Sequence, residues 1–486
     1  MIYKLRPYQE ECVKSISDYI NSDRHDPVLI VGPVGCGKSL LIAEAARLMG
    51  DKTLILQPSK ELLQQNHNKI TSYGIPATIY SASCGKKELS NMIYATLGSI
   101  KKVVGQLKEM GIRNVLIDEA HAGYSPEDGS EFMTFMNELK PKKVIGFTAT
   151  PCRLKTMSIG QVSYSQLNFI TRMRPVYFKN LIHVIQVEEM IGQGFWTPLK
   201  YETWDFNGDA LKLNSNGSEY TAESISEAVR KNGLNNLILR RLMVLKDVCR
   251  SILVFMDSVE SCNTAAEWMN AKICAGMAEV VHGGTPKKQR EAIVEGFKSG
   301  KTKVVFNYSA LGTGFDHPGL DCVIVGRPTF SFSSFYQWLG RAVRIKDGKD
   351  SALVVDCCNN SSRFGDIRKL SIENYKGYGW GMFIGDKLIT NISMGNKVTK
   401  TDLDIKAAKK DRRRGLAQGV TAAPVPGRPD HPLGSTVMTF GKYCGWMFHS
   451  IPVSYFKFIN ETFDWDNDRN KDIKEYIDFL IKNNRL

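Results

Sequence analysis

Short apolar runs alternate with longer segments of helical periodicity along most of the chain. In the first third, β-branched runs such as Val28–Val31 are separated by stretches in which apolar residues recur every three or four positions. This alternation predicts a parallel sheet with helices on both faces. The same pattern returns between residues 251 and 355, so the predicted fold class is α/β with two parallel-sheet domains. The runs concerned are 28–31, 53–56, 115–117 and 143–146, then 251–255, 303–306, 322–325 and 352–355.

Changes in composition divide the chain further. A Gly/Asn/Ser-rich stretch separates the two α/β regions, and a segment rich in lysine, arginine and proline, which indicates an extended linker, follows the second. The predicted segments are a first domain (1–152), a connecting region (153–240), a second domain (241–358), an accessory hairpin with a basic linker (359–432) and a small C-terminal module (433–486).

The accessory hairpin is predicted from Gly385 and Asp386, which separate two apolar runs. The first of these runs, Tyr378–Ile384, is rich in aromatic residues. Two interpretations stay open: the aromatic rings stack on bases, or they pack into a core.

The composition favours a polyanionic partner and argues against secretion. Lysine and arginine number 64 against 50 acidic residues, which gives a net charge of +14 and a pI of about 9.1. The eleven cysteines contain no C-x-x-C pair, so we expect reduced thiols and no zinc site. The first residues form no signal peptide, and no apolar stretch is long enough to cross a bilayer. We therefore expect a cytoplasmic protein without a membrane partner.

The segment Gly32–Ser39 has the spacing G-x-x-x-x-G-K-[ST] and lies between a predicted strand and a predicted helix. Gly35 and Gly37 let backbone N–H groups close around phosphates at the positive end of the helix dipole. Lys38 would reach the β- and γ-phosphates, and the Ser39 hydroxyl would bind Mg²⁺. The pattern therefore predicts that the chain uses ATP and Mg²⁺.

An acidic pair, Asp118 and Glu119, follows the third apolar run of the first domain. Ligand sites in open α/β sheets lie at the carboxyl ends of the strands, and this pair is predicted to lie there. We expect Asp118 to hold Mg²⁺ and Glu119 to orient and deprotonate the attacking water, as phosphoryl transfer requires.

The residues from Asp118 to His121 resemble the DEAH box of superfamily 2 helicases, and other motifs of that superfamily follow in order. The resemblance implies two RecA-like P-loop domains, adenine recognition by Gln9, and strand contacts in motifs Ia and Ib. Motif III would couple the nucleotide site to the nucleic-acid path, and its residues Thr148 and Thr150 would contact the nucleic acid. The residues so assigned are Arg6 and Gln9 (Q motif), Ser59 and Lys60 (motif Ia), Thr96 and Ser99 (motif Ib), and Thr148 and Thr150 (motif III).

The second α/β region supplies two further motifs. The segment LGTGFD, with Gly314 and Asp316, is similar to motif V, which implies a place near the ribose and the arginine finger. The segment QWLGRAVR is similar to motif VI. Because residues three apart share one face of a helix, Arg341 and Arg344 are expected to point together at the γ-phosphate. Such arginine fingers contribute about 10³ to 10⁵ in rate.

Over residues 1–358 the chain looks most similar to RadD-like and phage UvsW-like DNA repair helicases, on LRPYQ, the DEAH box and Gly194–Pro198. It departs from the RadD-like pattern beyond residue 358, where the cysteine-rich tail is missing. Residues 438–445 resemble a small C-terminal module of exodeoxyribonuclease X. There Lys442 would grip a phosphate backbone, or the segment would form a hairpin packed on a helix.

These observations predict an ATP-dependent DNA helicase or translocase that unwinds or remodels branched or partly single-stranded DNA in repair, recombination or replication. The alternatives are an RNA helicase and the motor subunit of a restriction or defence complex. A nucleic-acid-binding scaffold with incidental hydrolysis is a third possibility, against which the complete ATP motif argues. The sequence leaves the oligomeric state open.

Overall fold

The computed structural model describes residues 4–50, 52–159, 162–311, 315–376, 378–393, 397–407, 431–436, 438, 447–462 and 471–483. The chain forms two compact units. The first contains Met1–Tyr375 and Gly379–Val398, and the second contains Lys376–Tyr378 and Thr399–Leu486.

The first α/β domain is built on an eight-stranded sheet with the strand order β10-β1-β7-β6-β2-β5-β3-β4. Every pairing in it is parallel except that of β3 with β4. Its strands are β1 (Val28–Val31), β2 (Thr53–Leu56), β3 (Thr78–Ser81), β4 (Lys86–Lys87), β5 (Met92–Ala95), β6 (Asn114–Ile117), β7 (Lys143–Thr148) and, later in the chain, β10 (Asn180–Val184). Its helices are α1 (Pro7–Asn21), α2 (Lys38–Met49), α3 (Lys60–Ser72), α4 (Leu97–Ile100), α5 (Val104–Glu109), α6 (Glu131–Leu139) and α7 (Val187–Gly192).

The second α/β domain has a six-stranded, fully parallel sheet in the order β11-β16-β15-β12-β14-β13. Its strands are β11 (Leu199–Thr203), β12 (Ile252–Phe255), β13 (Ala278–His282), β14 (Val304–Tyr308), β15 (Cys322–Val325) and β16 (Ala352–Asp356). Its helices are α8 (Ala222–Lys231), α9 (Leu234–Val248), α10 (Val259–Lys272), α11 (Lys287–Ser299), α12 (Phe332–Leu339) and α13 (Asn360–Phe364).

The central strands explain the apolar runs in the sequence. All four residues of β1 and of β12 are buried, as expected of parallel strands covered on both faces. Hydroxyl side chains fix where many helices begin, because each accepts a hydrogen bond from a first-turn N–H. These N-caps are Ser59, Ser130, Thr221, Ser258 and Ser331.

Residues 153–240, expected to connect the two domains, take part in both sheets. Strand β10 pairs with β1, and β11 pairs with β16, so each sheet receives one edge strand from this region. Before β10, the strands β8 (Cys152–Ile159) and β9 (Val162–Phe169) form an antiparallel hairpin. The Gly/Asn/Ser stretch marks only the loop before α8.

The predicted accessory hairpin is confirmed. Strand β18 (Gly379–Ile384) pairs antiparallel with β19 (Lys387–Leu388), and Gly385–Asp386 form the turn. The neighbouring strands are β17 (Leu370–Tyr375) and β20 (Val398–Thr399). Met382 and Phe383 are fully buried and Trp380 is half-buried, so the aromatic run mainly packs into a core.

The second unit contains helical residues 400–407 and the helices Val453–Thr462 and Lys471–Lys482. A small apolar core around Phe448, Phe456 and Tyr476 joins the last two helices. No described helix of the chain combines the length and apolarity that crossing a membrane requires.

Candidate active site

A cleft of about 510 Å³ is lined by both α/β domains. The first domain contributes the loop between β1 and α2, Lys38 at the start of α2, and Glu119, two residues after β6. The second domain contributes Asp316, Arg341 and Arg344. The predicted phosphate-binding loop, acidic pair and arginines therefore meet at one place.

The phosphate-binding loop needs its glycines. Gly35 and Gly37 have φ values of +85° and +80°, a backbone conformation that side chains rarely adopt. A Cβ atom on Gly37 would also lie 2.5 Å from Nε2 of Gln9. Helix α2 begins at Lys38, so its first N–H groups, which have no partner within the helix, are available to phosphate oxygens at the cleft.

Gln9 supports the phosphate-binding loop through a hydrogen bond. Its Nε2 donates a hydrogen bond to the Cys36 carbonyl (2.8 Å), and its Oε1 accepts one from the Arg6 N–H (3.0 Å). The Arg6 guanidinium lies 4.5 Å from the ring centroid of Phe195, and both side chains line the cleft. Gln9 is thus a structural support of the loop, and its recognition of adenine stays a prediction.

Lys38 lies between the two acidic residues. Its Nζ is 3.2 Å from Oδ1 of Asp118 and hydrogen-bonds to Oε1 of Glu119. Burial lowers the pKa of Lys38, but the two carboxylates outweigh it and raise the pKa above its usual value. The side chain is therefore a fixed ammonium. Asn66 holds Asp118 from the other side, with Nδ2 2.9 Å from Oδ2.

The oxygen atoms around Lys38 suit a magnesium ion. Carboxylate and hydroxyl oxygens are ligands that Mg²⁺ prefers, and Asp118 and Ser39 supply one of each. Oε2 of Glu119 is buried without a hydrogen-bond partner in the described part of the chain. That oxygen is available to accept a proton from water. Asp118 and Ser39 would hold Mg²⁺, which neutralises charge on the phosphates when bound.

The acidic segment is connected to motif III. Nδ1 of His121 is hydrogen-bonded to Oγ1 of Thr148 (2.9 Å), which also accepts from the Thr150 N–H (3.0 Å). Burial lowers the pKa of His121 to about 3, so the ring is neutral at pH 7. Oγ1 of Thr150 in turn accepts a hydrogen bond from Ser333 of the second domain (3.1 Å).

The expectation that Thr148 and Thr150 contact nucleic acid is corrected here. Both residues are fully buried, at 0% exposure, because their hydroxyls are used within the protein. Their hydrogen bonds join the acidic segment of the first domain to helix α12 of the second. Coupling of the nucleotide site to the nucleic-acid path by motif III stays a prediction.

The helical prediction for motif VI is wrong. Helix α12 ends at Leu339, and Arg341 and Arg344 lie in the turn and loop beyond it. In an α-helix, backbone carbonyls accept hydrogen bonds from N–H groups of the same helix, whereas here a carbonyl accepts from side chains outside the turn. The Arg344 carbonyl accepts from Oγ1 of Thr197 (2.7 Å) and from Nζ of Lys349 (2.8 Å).

Both arginines nevertheless line the cleft. Nη1 of Arg341 donates to the Phe315 carbonyl (2.6 Å), and Arg344 forms an ion pair with Asp316. Burial lowers the pKa of each guanidinium to about 10, so both are charged at neutral pH. Asp316, expected near the ribose, thus orients one of the arginines.

Sequence reasoning assigned no site role to Trp196 and Thr197. Nε1 of Trp196 donates to the carbonyl of Val34 in the phosphate-binding loop (2.8 Å). The Thr197 N–H donates to the Val343 carbonyl (2.8 Å). These neighbours therefore tie the loop to the segment that carries the arginines. The sequence signal for these two residues was the segment Gly194–Pro198, but its residue types indicate no particular chemical role.

Comparisons with known proteins agree with this geometry. Residues 2–153 match the family model for the res subunit of type III restriction enzymes, and residues 235–346 match the model for the helicase conserved C-terminal domain. In both α/β domains the chain is similar to ATP-dependent helicases of superfamily 2. The two matches lie on the two α/β domains that form the cleft.

Two curated relatives illustrate the distance within the superfamily. The chain is 25% identical over 332 residues to a 51.5 kDa protein of a Lactococcus phage, covering 68% of this chain and 65% of that protein. It is 25% identical over 376 residues to the ATP-dependent DNA helicase Hel308 of Pyrococcus horikoshii, covering 69% and 49%. It therefore spans less than two thirds of the length of either relative.

A solved structure shows the same fold. The DNA-bound ATP-dependent Type ISP restriction-modification enzyme LlaBIII superposes with a TM-score of 0.54 at 15% identity, covering 74% of this chain and 28% of that enzyme. The two α/β domains are accordingly of the RecA-like kind that the sequence predicted.

The residues predicted to contact a nucleic-acid strand lie beside one another in the first domain. Ser59 and Lys60 follow β2, Thr96 and Ser99 follow β5, and these two strands are neighbours in the sheet. All four residues are partly exposed. Ser59 also caps helix α3, and Oγ1 of Thr96 donates to Oγ of Ser99 (3.2 Å). Gly314 and Lys442, also predicted as site residues, lie outside the described residues.

The sequence predicted Mg²⁺ in the ATP cleft and no zinc site. Among the described residues, no group of three or more His, Cys, Asp or Glu side chains has the arrangement of a further metal site. Cysteines in the described ranges are free thiols, mostly buried.

Proposed function

We propose that this chain is an ATP-driven DNA motor that hydrolyses ATP in the cleft between its two RecA-like domains. The observation that carries the proposal is the shared cleft: Lys38 and Glu119 of the first domain and Arg341 and Arg344 of the second line it together. Hydrolysis that needs groups from both domains depends on how the domains close, and closure and reopening can move a bound strand.

In this proposal each group has a defined role. Lys38 and the first N–H groups of α2 bind the β- and γ-phosphates, and Ser39 and Asp118 hold Mg²⁺. Glu119 accepts a proton from the attacking water. Arg341 and Arg344 stabilise the charge that spreads over the transferred phosphoryl group.

We infer DNA as the substrate, with forks or four-way junctions as the favoured forms. Partly exposed hydroxyl and ammonium groups at the ends of β2 and β5 suit phosphate contacts. One relative is named a DNA helicase, and the LlaBIII structure contains DNA. A relation to RadD-like and UvsW-like repair helicases, an exodeoxyribonuclease X type module at the C-terminus, and a cytoplasmic role in repair, recombination or replication belong to the same proposal.

The test is steady-state ATP hydrolysis in the presence of single-stranded DNA, duplex, fork, four-way junction and RNA. Glu119→Gln serves as the inactive control. The proposal expects the strongest stimulation from branched DNA. Stimulation by RNA alone would contradict it and would favour an RNA helicase.

A second candidate is the motor subunit of a restriction or defence complex. It is favoured by the match of residues 2–153 to the res subunit model and by the likeness in fold to LlaBIII. Purification of the tagged chain from its natural host distinguishes the two. A motor subunit would co-purify with a nuclease at fixed stoichiometry and would hydrolyse ATP only in that complex, whereas the favoured function requires activity of the chain alone.

A further inference from the structure

A second cleft, of about 950 Å³, lies away from the motif-bearing residues. Its walls come from the β8–β9 hairpin, the loop 213–217, Phe330 just before α12, the segment 362–369, the β18–β19 hairpin and Lys397. We call it the accessory cleft. Apart from Phe330, its lining residues lie outside both domain matches, so no superfamily motif accounts for it.

Hydrogen bonds between the walls hold the accessory cleft in shape. Oγ of Ser165 donates to the Gly217 carbonyl (3.3 Å), the Asn391 N–H donates to the Leu167 carbonyl (2.6 Å), and the Gly385 N–H donates to the Lys369 carbonyl (2.9 Å). Four segments are therefore linked by hydrogen bonds, and the cleft is part of the fold.

The cleft requires glycine at one wall. Gly217 has φ +59°, and a Cβ atom there would lie 2.1 Å from Oγ1 of Thr156. No other residue type fits this position without moving the hairpin. The backbone of the loop consequently lies directly against the hairpin.

The rim of the cleft is basic. Arg363 and Lys369 come from the segment 362–369, Lys387 begins β19, Lys397 precedes β20, and all four are exposed. Within the described residues no ion pair joins any of them to a carboxylate. Of the two acidic residues at the rim, Asp366 is paired with Arg368 at 2.6 Å. Asp386 alone offsets the four cations, so the rim has a net positive charge.

One of the cations is also held in position. The Arg363 guanidinium lies 5.3 Å from the ring centroids of both Tyr220 and Phe330, and Nη1 donates to the Thr329 carbonyl (3.1 Å). An arginine fixed in this way loses less entropy when it binds an anion.

The walls of the accessory cleft follow the carboxyl ends of sheet strands, and the residues predicted to contact a nucleic-acid strand also follow carboxyl ends. Strand β8 follows β7, α12 follows β15, and α13 follows β16, so its walls continue from the carboxyl ends of both RecA-like sheets. Ser59 and Thr96 follow β2 and β5 at the carboxyl edge of the first sheet.

We propose that the accessory cleft binds the phosphate backbone of a single DNA strand. This inference rests on the proposed function, because it gives the motor a strand contact outside its helicase motifs. Exposed cations from separate segments, with backbone at the floor, suit a charged and sequence-independent ligand.

The test is direct binding of a poly-dT oligonucleotide, measured by fluorescence anisotropy over a range of salt concentrations. The variant is Lys369→Glu/Lys387→Glu. We expect its affinity to fall by about tenfold or more and its salt slope to decrease by about 1.4, since each phosphate contact on a single strand contributes about 0.7. DNA-independent ATP hydrolysis should be unchanged, because neither lysine lines the ATP cleft.

The matched control is Lys272→Glu/Lys301→Glu, which makes the same change of charge. Both lysines are exposed and precede β13 and β14, at the amino-terminal edge of the second sheet. Equal loss of affinity in both double variants, or none in the cleft variant, would overturn the inference. So would competition by poly-glutamate as strong as that by DNA of equal charge, which would indicate an acidic protein partner.

The binding readout separates this inference from the proposed function. A wild-type chain that binds poly-dT through the cleft but hydrolyses no ATP would refute the motor and leave the cleft contact intact. A chain that hydrolyses ATP and binds poly-dT equally well with and without the two lysines would refute the cleft contact alone.

Discussion

The hydroxyl of Ser333 donates a hydrogen bond to the hydroxyl of Thr150 at 3.1 Å, which joins the second RecA-like domain to the first. Thr150 is fully buried and its N–H bonds to Thr148, which bonds to His121 of the acidic segment. A short chain of hydrogen bonds thus leads from helix α12 to the neighbourhood of Glu119.

Ser333→Ala is expected to weaken the coupling between DNA binding and hydrolysis. Loss of one hydrogen bond of about 1 kcal/mol corresponds to about a fivefold smaller stimulation by DNA. Hydrolysis without DNA should stay the same. Ser334→Ala is the control, because the Ser334 hydroxyl bonds to Ser331 within the same turn. Equal stimulation in wild type and Ser333→Ala would contradict the assigned role.

Thr197→Val should lower kcat about fivefold and leave the KM for ATP unchanged. The variant keeps the shape of the side chain but loses the hydrogen bond to the Arg344 carbonyl, worth about 1 kcal/mol. Thr197→Ser restores the hydroxyl and should restore kcat. If the serine variant is as slow as the valine variant, the hydroxyl does not position the arginine.

Glu119→Gln should reduce kcat by about 10² to 10⁴, the usual contribution of a general base. Binding of a fluorescent ATP analogue should remain, because Lys38 and the loop are intact. Glu127→Gln, an exposed acidic residue outside the cleft, is the matched control. Hydrolysis by Glu119→Gln at more than about a tenth of the wild-type rate would exclude Glu119 as the base.

His317 should make the fold less stable in mild acid. Burial, with nearby lysines such as Lys346, lowers the pKa of His317 to about 4, and Nε2 is hydrogen-bonded to Oγ of Ser251 (2.8 Å). As the pH falls below about 6.5, the unfolded chain takes up a proton that the folded chain does not. Stability is therefore complete above about pH 6.5 and is lost progressively towards about pH 4.

The slope attributable to His317 is at most about 1.4 kcal/mol per pH unit. Urea unfolding of the wild type and of His317→Gln at about pH 7 and about pH 5 measures it. The glutamine variant should lose less stability between the two conditions. Identical losses would show that His317 does not titrate on unfolding.

Local patterns in the sequence predicted the parts of the site that depend on local structure. The phosphate-binding loop, the acidic pair and the accessory hairpin are each set by a few consecutive residues. Gly35 and Gly37, for example, occupy backbone conformations that favour glycine wherever the loop forms.

The errors arose where distant segments compete for the same backbone groups. Arg341 and Arg344 were expected on a helix, but Thr197, from a distant part of the chain, donates a hydrogen bond to the carbonyl of Arg344. Thr150 was expected at the nucleic acid, but it is buried and its hydroxyl accepts a hydrogen bond from Ser333, far along the chain. Neither partner can be identified from residue spacing.

The arrangement of the sheets was also beyond the sequence pattern. Strands β10 and β11 lie in the presumed connecting region, and their residues are only partly buried in several positions. Edge strands of this kind lack the continuous apolar run by which the central strands were recognised.

The central claim is that the two RecA-like domains share one active site, and the most direct measurement is kcat for ATP in Arg341→Ala, with saturating DNA. Arg341 belongs to the second domain, whereas Lys38 and Glu119 belong to the first. The account predicts a loss of about 10³ or more in kcat while binding of a fluorescent ATP analogue is retained. A variant that hydrolyses ATP within about a factor of two of the wild type would contradict it, because the first domain would then suffice for catalysis.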